Sequence, residues 1–326
     1  MTFIDEVLET YQRLSANLPA DEDALFVEAL PGFVWASLGV KHDAVVLLLP
    51  PDDGRAGPEH DLEHIWVSPN TTYKIVDSAG TRTQTVAVIS TKSNEAWLVN
   101  AFLELVAMLF ESGVSSDPDS VRKLVQDLIA LFRALTQPGK KSLQGLWGEL
   151  FLIDQSENTE LAVKSWHTTP NDRYDFARAH ERVEVKSTTG PRIHTFAHAQ
   201  LTPVSGLQLT VASLVLNPDG DGCTCADLVA KILVKLNNDV LKRGFVDQVV
   251  RTLGASWQNQ SGVRFDVDQA KQGLKFFDVE AIPRITSPIP PNVLGVTYQS
   301  DLQVAADFTR NSLDSKHVLT RTLFCV

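Results

Sequence analysis

Apolar residues recur at helical spacing over residues 2–16, where Phe3, Val7, Leu8, Tyr11 and Leu14 predict one amphipathic helix. From Phe33 to Ile89 the rhythm shortens to that of strands. Val45-Val46-Leu47-Leu48-Leu49 is a continuous apolar run stopped by Pro50-Pro51. Ile65–Val67, Thr72–Val76 and Gln84–Ile89 read as further strands, with a hairpin turn at Ser78-Ala79-Gly80. Helical spacing returns at Glu95–Glu111.

Asp117-Pro118 is a helix start, an N-cap followed by proline in the first turn. The helix carries Val121, Leu124, Val125, Leu128, Ile129, Phe132 and Leu135 and stops at Pro138-Gly139. A second helix is expected from about Ser142 to Gln155. Strands are then expected at Leu161–Trp166, Arg173–Ala177 and Arg182–Ser187, a turn or short helix at Ala197–Leu201, and a strand at Leu207–Asn217. Ala226–Lys242 reads as one amphipathic helix ending before Gly244. The remainder is mixed and divided by Pro283, Pro288, Pro290 and Pro291.

These elements predict two parts. Residues 1–115 form a smaller N-terminal α+β module of unknown role, and residues 116–326 form a second domain whose core spans about 141–217, followed by a C-terminal extension. The class is α/β, or α+β overall.

Composition narrows the setting. With 44% hydrophobic and 21% charged residues, the chain is that of a globular protein. No apolar run approaches the length of a membrane span, no secretory signal is evident at the start, and three cysteines (Cys223, Cys225, Cys325) make no disulfide framework. A cytoplasmic location without membrane attachment is expected. The net charge of −11 argues against a general nucleic-acid binder, yet residues 164–194 carry +2, which leaves −13 for the rest. The most cationic segment of an acidic chain therefore surrounds the residues considered next.

In Arg182-Val183-Glu184-Val185-Lys186-Ser187 the valines alternate with Glu184 and Lys186, so a strand packs the valines into the core and places that carboxylate and ammonium side by side at a sheet surface. Asp175 precedes this strand by a short connection, and a hairpin-like return would set it beside Glu184. Two close carboxylates repel unless a cation sits between them, and oxygen ligands of this kind suit Mg2+. Glu149 lies in a helix that is apolar nearly all round, and a buried acid needs a partner, either a shared metal or Lys186. Gly145 and Gly148 in that helix suggest close approach to the sheet.

Gly145-Leu146-Trp147-Gly148-Glu149-Leu150, Asp175-Phe176, Glu184-Val185-Lys186-Ser187-Thr188 and Gln200-Leu201 resemble, in kind and order, the PD-(D/E)XK superfamily of restriction-endonuclease-like nucleases. They are more similar still to a bacterial family of unknown function assigned to it, whose members are suspected of roles in DNA restriction or phage defence. Tyr174 stands where the name has proline. The resemblance implies a restriction-endonuclease-like core, a mixed central sheet flanked by helices. It implies Mg2+-dependent endonuclease cleavage of DNA, with Mn2+ as a substitute ion. Asp175, Glu184, the Val185 carbonyl and Glu149 would serve the metal, and Lys186 would activate water and steady the phosphate. Arg192, His194, Thr195 and Gln200 would lie near substrate. Protein partners of a defence system and a homodimer would be consistent with such a role.

Other readings carry weight of their own. A catalytically silent nucleic-acid-binding or scaffolding subunit would keep the same fold. A purely structural domain would use Glu184 and Lys186 as an ordinary ion pair. His194 and His198 lack a third ligand, Cys223-Thr224-Cys225 has the wrong spacing for a zinc knuckle, and Asp219-Gly220-Asp221-Gly222 lacks the EF-hand ligand order.

Overall fold

The computed structural model describes residues 2–17, 24–41, 44–52, 54, 58–167, 172–310, 313 and 317–324. Cys325 lies outside them. The chain forms two units, residues 1–140 with 238–259 and residues 141–237 with 260–326.

The first unit opens with α1 (Phe3–Ala16), started by a capping box in which Thr2 and Asp5 exchange hydrogen bonds. Six strands follow: β1 (Ala24–Leu30), β2 (Phe33–Lys41), β3 (Ala44–Leu49), β4 (His60–Asp61), β5 (Ile65–Asp77) and β6 (Gly80–Thr91). They pair in the order β1-β2-β3-β6-β5-β4. Parallel pairing of Ala24–Phe26 with Lys74–Val76 joins β1 back to β5, closing five strands into a barrel. Leu25, Val27, Val46, Leu48, Ile75, Val86 and Val88 pack together as a core. Every residue of β3 is buried, as a continuous apolar run requires when both sheet faces are covered. Its outer cover is α2 (Ala96–Glu111), itself buried nearly all round. In α3 (Pro118–Ala134) the Asp117 side chain accepts the Ser120 N–H, the expected cap.

The second unit begins with α4 (Leu143–Asp154), capped by Ser142, and α5 (Thr159–Ser165). Next come β7 (Phe176–Arg178), β8 (Glu181–Thr188), β9 (Ile193–Ala197), a 3-10 turn at His198–Leu201, β10 (Gln208–Val215), β11 (Pro218–Cys223) and α6 (Cys225–Lys235). The following helix, α7 (Asp239–Leu253), belongs to the first unit, after which α8 (Val267–Gly273), β12 (Lys275–Asp278), β13 (Thr297–Asp301) and α9 (Val318–Leu323) complete the second. Its main sheet runs β12-β10-β8-β7 and is mixed: β8 and β10 are parallel, and both edge strands are antiparallel to their neighbours. A separate ladder joins β9 to β13.

Two expectations need correction. Leu161–Trp166 is helix up to Ser165, because the Asn158 side chain accepts the Leu161 N–H and starts a turn there. Ala226–Lys242 is two helices: α6 stops at Lys235, and Asn238 caps α7 by accepting the Leu241 N–H. Asparagine competes with helix through exactly this local bond, so the Asn237-Asn238 pair divides an otherwise continuous amphipathic pattern. The strand β1 had no counterpart in the sequence reading. Among the described residues no helix is long and apolar enough to cross a membrane.

Candidate active site

The β7–β8 hairpin turns at Ala179, which takes a left-handed φ of 47°, and pairs Phe176 with Val183. Asp175 therefore enters the sheet edge beside Glu184 and Val185, and its Oδ2 accepts the Val185 N–H at 2.7 Å. The alternation along β8 is as expected: Val183 and Val185 are buried, and Lys186 Nζ lies 2.8 Å from Glu184 Oε1. The surface position is not. Glu184 is only 4% exposed, because its face is also that of Val211, its register partner on β10, and that face is covered by the core of Phe196, Leu201, Leu209 and Val211.

Gln200, at the 3-10 turn after β9, donates to Glu184 Oε1 at 2.6 Å, and Lys186 Nζ sits 5.1 Å from the Phe196 ring centre. Glu184 Oε2 is buried and has no hydrogen-bond partner among the described residues. Burial, then the charge of Asp175, pushes the Glu184 carboxyl up to about 8, against the pull of Lys186.

Helix α4 presents Glu149 to the other side of Asp175. The helix lies close to the sheet at Gly148, where a Cβ would come into ordinary contact with Ser187 Cβ at 3.4 Å and Leu214 Cδ1 at 3.5 Å, whereas at Gly145 it would meet the Ser142 hydroxyl. Glu149 is 2% exposed, and its partner is not Lys186. Its Oε2 accepts from the Trp166 indole N–H at 2.7 Å and lies 2.9 Å from His167 Nε2. Its Oε1 is bound by the Lys141 ammonium, which also binds Asp175 Oδ1.

Burial would raise the Glu149 carboxyl, but His167 and Lys141 outweigh it and hold the pKa below the ordinary value. For Asp175 the balance reverses: burial and the neighbouring Glu149 charge raise it despite Lys141 and the Val185 N–H. Lys141, largely desolvated, is still held protonated by Glu149 and Asp175.

Glu149, His167 and Asp175 each offer one ligand atom, and these atoms lie within 4.8 Å of one another, close enough to hold a metal ion. The donors suit one: two carboxylates supply oxygen and charge, and an imidazole supplies nitrogen. His167 is brought there by a bridge between Trp166 and Phe176, its N–H donates to the Asp175 carbonyl at 2.9 Å, and its φ is 41°. A left-handed backbone at a bulky residue is strain of the kind that collects at functional sites.

Sequence reasoning missed Lys141 and His167. Lys141 sits in a Pro-Gly-Lys-Lys-Ser turn where lysines are ordinarily solvated, and His167 follows a segment misread as strand. The substrate-side residues divide. Thr195 is exposed on β9, and Gln200 holds Glu184. Arg192 donates to the Ser213 carbonyl and hydroxyl and to the Gly273 carbonyl, while His194 pairs with the Ser213 hydroxyl at 2.7 Å. Burial, followed by the charges of Lys186 and Arg192, lowers the His194 pKa to about 4.

A buried acid on a helix, an acid at a hairpin edge and a Glu-x-Lys strand are the parts by which nucleases of the PD-(D/E)XK type are known. Residues 40–303 match the model of a family of unknown function, DUF4420, whose description is "Putative PD-(D/E)XK family member". The chain belongs to this family. No curated protein matches it, and no solved structure does.

Proposed function

We propose that the chain is a metal-dependent endonuclease acting on DNA phosphodiester bonds, with the four-stranded sheet of the second unit as a restriction-endonuclease-like core. The observation that carries the reading is the meeting of Glu149, His167 and Asp175 beside the Glu184–Lys186 pair, in a member of a family so described. A divalent ion at the three ligands would supply Lewis acidity and acidify water. With nitrogen among the oxygen donors, Mn2+ should serve at least as well as Mg2+.

The protein's own groups have separate tasks. Trp166 fixes the Glu149 carboxylate by its indole N–H, and the Val185 N–H fixes Asp175. Lys186, kept in place by Glu184 and Gln200 and one-fifth exposed, is the cation available to donate to a phosphate oxygen and to the oxygen of the attacking water. Arg192 and His194 serve the fold by holding Ser213.

A second reading has its own observation. The Lys141 ammonium already satisfies Glu149 and Asp175, as a catalytically silent subunit that keeps the fold would need. Nicking of supercoiled plasmid with Mg2+ or Mn2+ separates the two. The nuclease reading expects cleavage by the wild type and its loss in Asp175→Asn and Lys186→Ala. Cleavage that persists in both variants would sink it, and metal binding without cleavage would favour the silent subunit.

A further inference from the structure

We propose that Lys141 is a resident cation of this site, which a divalent metal must displace, so that ammonium and metal occupy it in turn. The inference rests on the metal site of the proposed function and concerns how that site is filled. It follows from counting oxygens. Asp175 Oδ2 already accepts the Val185 N–H, and Glu149 Oε2 the Trp166 indole N–H. The other two oxygens, Glu149 Oε1 and Asp175 Oδ1, are those most open to a metal, and these are the two that Lys141 Nζ binds.

Charge points the same way. Glu149 and Asp175 are both almost wholly buried, and one ammonium leaves the pair with one uncompensated negative charge. A divalent ion alone would neutralise it. An ammonium and a divalent ion together would place an uncompensated positive charge in a desolvated site, which costs far more than exchanging one cation for the other. Lys141 can leave: its side chain is 27% exposed, against 2% for Glu149, so water is within reach of the ammonium. The lysine therefore bridges the carboxylates, offsets their repulsion without metal, and weakens metal binding by competing for the same atoms.

The test is calorimetric titration of the full chain with MnCl2, comparing wild type, Lys141→Met, Lys141→Arg and Asp175→Asn, with folding checked by circular dichroism. Lys141→Met should bind Mn2+ at least tenfold more tightly than wild type. Lys141→Arg, still cationic, should stay near wild type, and Asp175→Asn should bind weakly or not at all. Binding by Lys141→Met alone would support the inference and turn the function toward the silent subunit. Wild-type binding with Lys141→Met equal or weaker would overturn the inference and leave the nuclease reading standing. Binding by neither would overturn both. A wild-type measurement covers a Lys141→Met chain that fails to fold: acetylation of Lys141 by acetic anhydride, mapped by mass spectrometry, should rise severalfold when Mn2+ is added. Equal protection with and without metal, at Mn2+ concentrations at which titration shows the wild type to be loaded, would overturn the inference.

Discussion

Replacing Glu184 with glutamine should remove a loss of stability that the metal-free protein suffers as the pH rises. Glu184 is buried, one of its oxygens accepts from Lys186 and Gln200, and the other has no partner among the described residues. Its carboxyl is raised from 4.5 to about 8 by burial and then by Asp175. Below about pH 4.5 the group is protonated in folded and unfolded chains alike, and its contribution to stability is complete. As the pH rises the unfolded chain gives up the proton first, so stability falls until the pH passes about 8. At ~1.4 kcal/mol per unit the ceiling is about 5 kcal/mol, and relaxation of the site toward water makes about 2–3 kcal/mol the expected loss. Glutamine does not titrate. Urea unfolding in EDTA at pH 5 and pH 8.5 measures both proteins. The stability of Glu184→Gln relative to wild type should grow by that amount between the two pH values. A difference that stays flat would refute the idea that burial holds this carboxyl neutral.

Other expectations follow from single side chains. Both Glu181 oxygens accept from the first turn of α9, from the Leu319 and Thr320 N–H groups and the Thr320 hydroxyl. Glu181→Ala should cost about 2–3 kcal/mol in urea unfolding, since it strands buried donors, and an unchanged midpoint would contradict it. At the end of α2, burial pushes Glu111 up to about 7 against Lys242, and its Oε2 has no hydrogen-bond partner among the described residues. Its contribution is present below about pH 4.5 and lost as the pH rises through 7, so Glu111→Gln should stabilise by about 1 kcal/mol at pH 8.5, after allowance for solvent screening, and by nothing at pH 4. Gly148→Ala makes only ordinary contacts with Ser187 and Leu214 and should gain up to about 1 kcal/mol from helix propensity. Gly148→Ile should lose about 1–3 kcal/mol by overpacking, and thermal melts of the pair would show whether α4 lies as close to the sheet as described.

Much of this was written locally. The alternation Val183-Glu184-Val185-Lys186 determines that a carboxylate and an ammonium share one face of a strand, because strand side chains alternate whatever surrounds them. Asp117-Pro118 determines a helix start, and the apolar surround of Glu149 determines that this acid is buried. Family membership rests on such local signals. What lies between the acids does not. Lys141 and His167 reach Glu149 and Asp175 only because a capped turn, a bridge from Trp166 to Phe176 and a left-handed residue bring separate segments together. None of these has a sequence period. The same is true of the barrel: the parallel pairing of β1 with β5 joins segments distant in the chain, and neither strand records its partner. Nor does Glu184 record its burial, which depends on the Phe196 core laid over its face. Period and capping chemistry are properties of neighbouring residues. Charge pairing, desolvation and closure depend on which segments meet, so only the tertiary structure decides them.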